Sequence, residues 1–103
     1  AAMTDSHVDL IVTFLAPDQG GRTQPLEING YRPHLRVPPD NTMLGVEFRG
    51  PVGFAPVGRP MSATARLIYY PAISYSVLQP GSDIEILEGA RVVGRGRVVG
   101  CAA

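Results

Sequence analysis

The sequence predicts an all-β domain that closes on itself, and three observations point to it. Apolar and polar residues alternate at the two-residue period of a strand in Val8–Phe14 and again in Ser62–Tyr70. Ten prolines and twelve glycines punctuate the 103 residues, and no long stretch keeps a helical period. In the stretch Glu88 to Gly100, EGARVVGRGRVVG, the residues Val92, Gly94, Gly96 and Val98 fall on one side, with Arg91, Val93, Arg95, Arg97 and Val99 on the other. Alternate glycines on a packed face mark tight coiling or the close approach of another backbone, as at a barrel corner. This stretch is therefore predicted to be the closing strand, with guanidinium groups along its outer face.

Taken in order, Val8, Leu10, Val12 and Phe14 make one apolar face opposite Asp9, Ile11 and Thr13, a half-buried strand that stops at the loop composition Pro17-Asp18-Gln19-Gly20-Gly21. After the Gly30 turn, Tyr31 to Val37 is a second strand, with Tyr31, Pro33, Leu35 and Val37 sharing a face and Arg32, His34 and Arg36 the opposite one. Pro33 confines it to an edge, a bulge or a strand start. Pro38 to Thr42 is a turn, Leu44 to Arg49 a short strand, and Gly50 to Pro60 a Gly/Pro-rich loop. In the next strand Ala63, Ala65, Leu67 and Tyr69 oppose Thr64, Arg66, Ile68 and Tyr70, with Pro71 ending it. Ile84 and Ile86 lead into Glu88, either within the last strand or as the hairpin before it.

Length bounds the organisation to one domain, 7–100, which should bury roughly 60–70% of the surface its unfolded chain exposes. Residues 1–6 are expected as a tail, with Ala1 and Ala2 before Met3 read as a cloning remnant, and 101–103 as a second tail. Nine basic residues balance nine acidic ones, so no global field draws the molecule to nucleic acid or an anionic membrane. Every basic residue is arginine, as a GC-rich genome would produce. The single cysteine, Cys101, forbids an internal disulfide and fits a reducing cytoplasm. Apolar runs are too short to span a bilayer, and the start lacks the basic region and apolar core of a signal peptide.

Two separated blocks resemble a known family. Gly20-Gly21-Arg22-Thr23-Gln24-Pro25 followed by Tyr31-Arg32-Pro33, and the closing EGARVVGRGRVV, stand in the order and spacing of the C-terminal barrel, domain III, of elongation factor Tu, which carries GGRHTP, a tyrosine-arginine-proline strand and roughly REGGRTVGAGVV. The resemblance covers about Val8 to Gly100 and implies a small closed antiparallel β-barrel of about six strands. It implies that Arg22, Glu88 and Gly89 lie where the family meets the T-stem backbone of aminoacyl-tRNA. Thr23 and His34 replace a histidine and a glutamine of the family, and Arg95 and Arg97 replace small or apolar residues and inherit no role. Ala72 to Val77, holding Tyr75, is about four residues longer than the family connection.

The chemistry expected is binding without catalysis. No GxxxxGK[ST] phosphate loop exists and no nucleotide-binding domain fits in the chain, so no nucleotide and no cofactor are expected. His7, His34 and Cys101 do not make a zinc spacing. Ser74 and Ser76 flank Tyr75 without a hydrolase elbow, and Asp83 and Glu85 alternate with isoleucines as a wet strand face does. Two roles remain. A protein-interaction module, binding a partner protein or a second copy, would use Phe54, Met61, Tyr69, Tyr70 and Tyr75, surfaces that the family covers with neighbouring domains. An accessory that binds tRNA or other structured RNA would use Arg22, Glu88 and Gly89 with the stripe Arg91, Arg95 and Arg97, which spans about 20 Å at strand rise. Against the second role, the arginines have Glu27, Glu47, Asp83, Glu85 and Glu88 to pair with, each exposed pair being worth at most ~1 kcal/mol.

Overall fold

The computed structural model describes residues 6–102, and within them the chain forms a closed antiparallel β-barrel of six strands. The elements are β1 His7–Phe14, a single 3-10 turn Pro17–Gln19, β2 His34–Arg36, β3 Leu44–Gly50, β4 Met61–Leu67, β5 Asp83–Glu88 and β6 Arg91–Ala102. Around the cylinder the order is β1, β4, β3, β2, β5, β6, and β6 pairs back onto β1 from His7↔Ala102 to Phe14↔Gly94. Residues 1–5 and 103, which include the expected N-terminal tail apart from Ser6, lie outside the described residues.

The inward face of β1 is the predicted one: Val8, Leu10, Val12 and Phe14 are all buried. They meet Leu35, Leu44, Val46, Phe48, Ala63, Ala65, Leu67, Ile84, Ile86, Val93 and Val98 from the other strands in one continuous core. Each fully buried Leu, Ile, Val or Phe side chain contributes roughly 1.5–3 kcal/mol. The closing strand earns its place through Gly96: a Cβ there would stand 2.3 Å from the Ile11 carbonyl oxygen of β1. Only a residue without a side chain lets β6 and β1 come this close.

The structure corrects the alternation in several places, each for an identifiable reason. Val93 is fully buried, not outward-facing, because the β5–β6 register steps from Ile86↔Gly94 to Leu87↔Val92. That β-bulge turns Val93 into the core. β2 holds only His34–Arg36, since Pro33 donates no backbone hydrogen bond and Pro38-Pro39 follow Val37. The carbonyls of Tyr31 and Pro33 nevertheless accept from Phe48 and Val46, so the flank continues as an irregular ladder. β4 ends at Leu67, and Tyr69 and Tyr70 lie in a turn where the Tyr70 amide donates to the Leu67 carbonyl. β6 runs through Cys101 to Ala102, whose partners are Val8 and His7, so the expected C-terminal tail is strand as far as Ala102. Glu88 closes β5, which forms a tight hairpin with β6 through Gly89-Ala90.

Antiparallel connectivity sorts the loops between two ends. The segment from Leu15 to Pro33, the 51–60 loop and the Gly89-Ala90 turn lie at one end. The 37–43 and 68–82 loops lie at the other. No helix among the described residues is long and apolar enough to cross a membrane.

Candidate binding surfaces

The blocks Gly20-Gly21-Arg22, Tyr31-Arg32-Pro33 and Glu88-Gly89 meet at the first end of the barrel. The turn after β1 folds back sharply, with the Gly21 amide donating to the Ala16 carbonyl at 2.9 Å. A Cβ on Gly21 would be 1.9 Å from the Leu15 carbonyl oxygen, so the turn demands glycine. It sends Arg22 across to Glu88, whose Oε2 accepts from Arg22 Nη1 and from the Tyr31 hydroxyl, the latter at 2.5 Å. The Arg22 guanidinium also lies 5.7 Å from the centre of the Tyr31 ring. That ring packs edge-on to Phe14 at 6.1 Å and tilted against Phe48 at 5.7 Å, which ties the network to the core.

The charges of this network are held in place by one another. Burial alone would raise the Glu88 carboxyl pKa, but the hydrogen bonds from Tyr31 and Arg22 outweigh it and leave the group below its ordinary value. Burial, followed by the bond to Glu88, pushes the Tyr31 phenol up, so it stays a donor. A depressed carboxyl pKa stabilises the fold above its unfolded pKa, and that contribution is lost as pH falls through the folded value. Glu88→Gln is therefore expected to cost about 2 kcal/mol near neutral pH, the scale of charge-assisted hydrogen bonds. The deficit should begin to shrink only below the ordinary glutamate value of about 4.3 and vanish once the pH has fallen through the still lower folded value, where wild-type Glu88 is protonated too. Urea denaturation of both proteins across this range checks the crossing, and a constant deficit would show that Glu88 acts through packing instead.

The arginine stripe on β6 is largely neutralised. Arg91 Nη2 lies 3.9 Å from Glu88, and Arg97 lies 3.2 Å from Asp83. Arg95 is exposed across from Glu85, whose Oε1 already accepts from Arg36 at 2.7 and 2.9 Å. Gly89 occupies the hairpin turn with φ +61°.

The residues expected to meet a protein divide between the two ends. Phe54, on the 51–60 loop, is 71% exposed, with Val52 and Val57 beside it also exposed. Met61 opens β4 half-buried against the core. At the opposite end Tyr69 and Tyr70 are exposed, whereas Tyr75 is 3% exposed and its hydroxyl donates to the Gly45 carbonyl at 2.7 Å and accepts from the Tyr69 amide at 3.1 Å. Tyr75 is thus the anchor of its loop.

A cluster that the sequence did not single out lies on the outer face of β3 and β4, beside the segment that leads into β2. Glu47 accepts from Arg32 Nε and Arg66 Nε, each at 3.2 Å, and Arg49 Nη1 lies 3.6 Å away. The individual residues alternate as outward-facing strand residues should. Their convergence depends on the β3–β4 register, Glu47↔Arg66, which no local pattern reveals. Among the described residues no three His, Cys, Asp or Glu side chains gather as metal ligands would.

No protein-family model matches the chain, and no curated protein is significantly similar to it.

Proposed function

We propose that this barrel is a non-enzymatic binding module that docks a protein partner through the end built around the 51–60 loop. The observation behind this is a fixed display of apolar side chains. Val52, Phe54 and Val57 are 83%, 71% and 54% exposed, yet the backbone carrying them is pinned. The Ile28 amide donates to the Gly53 carbonyl at 3.0 Å, Ala55 to Leu26 at 2.8 Å, and Gly58 to Phe14 at 2.9 Å. Grouped apolar side chains on an ordered backbone lose little entropy on docking, and they gain the burial they lack in the free protein. The resemblance to domain III of elongation factor Tu supports the same reading, since that barrel works packed against other domains.

The test is affinity capture from native lysate at low and moderate salt, with and without nuclease, using wild type and a Val52→Ser/Phe54→Ser double variant. The wild type should retrieve a partner that survives nuclease and moderate salt. The variant should retain its melting behaviour, because both side chains are exposed and their loss costs within about 0.5 kcal/mol each. It should lose the partner. Capture abolished by nuclease would favour the RNA-accessory role of Arg22, Glu88 and Gly89 instead, and undiminished capture by the variant would remove the 51–60 loop from the interface.

A further inference from the structure

We infer that the cleft between the 68–82 loop and the end of β6 takes a proline-rich segment of a partner chain, held in the polyproline II conformation. The cleft has a volume of about 490 Å³, within the range of roughly 300–1,000 Å³ usual for ligand sites. Its apolar walls include Tyr70, Pro71, Ile73 and Pro80, and its polar groups come from Ser74, Ser76 and Gln79, with Cys101 bringing in the end of β6.

The loop that forms the cleft is fastened to the barrel. The Tyr75 hydroxyl ties it to Gly45 of β3, and Leu78 is buried beneath it. The Ile73 amide donates to the Tyr69 carbonyl at 2.9 Å, Leu78 to Tyr75 at 3.0 Å, and Gly81 to Val98 of β6 at 2.8 Å. Walls held in this way need little ordering when a ligand arrives. Tyr70 and Ile73 are nonetheless 41% exposed each, and Pro71 and Pro80 present apolar rings with no rotamer freedom to lose.

The lining also chooses its occupant. No charged residue borders this cleft, whereas four other hollows on the barrel each include an Asp, Glu or Arg, so an acidic, basic or phosphorylated ligand finds no counter-charge here. The spare groups include three hydrogen-bond donors. Ser74 donates to Ser76 Oγ at 3.0 Å, which leaves the Ser76 hydrogen over, and Gln79 Nε2 uses one of its two hydrogens on the Ser76 carbonyl at 2.7 Å. The Tyr70 hydroxyl has no hydrogen-bond partner among the described residues. A proline residue carries a carbonyl and no N–H, so a run of prolines joins apolar rings to bare acceptors, the complement of this lining. Polyproline II is also preformed and has no internal hydrogen bonds to break. Other peptide conformations suit the cleft less well. The closed barrel offers no whole strand as an edge for strand addition, and a helix uses its carbonyls internally and would leave these donors unanswered. The cleft stands at the opposite end from the docking loop proposed above and does not depend on it.

The experiment titrates the intact chain with a blocked proline decamer, a blocked glycine–serine peptide of the same length, and maltose, following backbone amide resonances by NMR. The proline peptide should shift the Ser74, Ser76 and Gln79 amides saturably, with a Kd on the order of 0.1 mM. That affinity should hold when salt is raised, because no charge pairs are made. Tyr70→Ala should weaken binding at least about tenfold through loss of an aromatic anchor. Ile11→Ser, which removes an exposed apolar side chain from the wall of β1, should bind as wild type does. Should Tyr70→Ala fail to fold, Gln79→Ala, at an exposed position, serves in its place, with a loss of about threefold for one hydrogen bond. Absence of saturation up to about 5 mM proline peptide, far above the expected Kd, would overturn the assignment. So would equal binding of the glycine–serine peptide, unchanged affinity in the Tyr70 and Gln79 variants, or saturable binding of maltose without binding of the proline peptide.

Discussion

Gly96→Ala is expected to lower the stability of the protein by about 3 kcal/mol, at the upper end of what one added methyl group costs in a closely packed site. The new Cβ would stand 2.3 Å from the Ile11 carbonyl oxygen and 3.0 Å from Val12 Cγ1. Neither neighbour can yield easily: the first is backbone in the β1–β6 ladder and the second is a buried core side chain. Relief requires β1 and β6 to part, which stretches the pairing that closes the cylinder. Gly100→Ala, in the same strand, provides the control, because a Cβ there has no atom within 4 Å. Its effect should stay within about 0.5 kcal/mol. Urea denaturation separates the two outcomes, with a lowered midpoint and an unchanged slope expected for the Gly96 variant. Equal midpoints for the two variants would mean that the seam is looser than its geometry implies.

Tyr75→Phe should cost about 2 kcal/mol although it removes a single oxygen atom. The hydroxyl bonds the Gly45 carbonyl and the Tyr69 amide together; its loss leaves the amide without that acceptor and the carbonyl with only the Ile68 amide at 3.4 Å, and a buried polar group left without a partner costs roughly 1–3 kcal/mol. Burial pushes the Tyr75 phenol up, so the donor stays protonated throughout the neutral range. The effect should also be local. Hydrogen exchange at the Tyr69 amide should accelerate while the β1 amides respond only to the global change. An unaltered midpoint together with unaltered exchange at Tyr69 would show that Leu78, buried at 1% exposure, holds the loop by itself.

The contrast between Tyr75 and Phe54 shows how much the sequence reveals. Both are aromatic residues in loops rich in small residues, and local composition treats them alike. What separates them is whether the loop folds back over β3, as Tyr75 does onto Gly45, or stands clear of the wall, as Phe54 does. Where burial follows from alternation alone the sequence suffices, and all four inward residues of β1 can be read from it. It fails at Val93, because a bulge adds one residue to the count and reverses which side chains face inward. The candidate surfaces divide in the same manner. The pattern shows Tyr31 only as a strand residue, whereas the resemblance implies that Arg22 and Glu88 share one side of the barrel, so their meeting was legible in the sequence. Their engagement with one another was not, because the bond between Arg22 and Glu88 joins positions 66 residues apart. Glu47 and Arg49 share β3, Arg66 is on β4 and Arg32 stands just before β2, and it is the register between β3 and β4 that sets Glu47 beside Arg66.

Closure has a consequence for recruitment. Every strand is flanked on both sides, so among the described residues no whole strand stands as an edge for an incoming peptide to extend. Whatever associates with this molecule must be chosen by the chemistry of protruding groups instead of by generic main-chain complementarity. Because the 51–60 and 68–82 loops belong to opposite rims, each can diverge under selection without disturbing the other, giving one small scaffold two independently tunable contact regions.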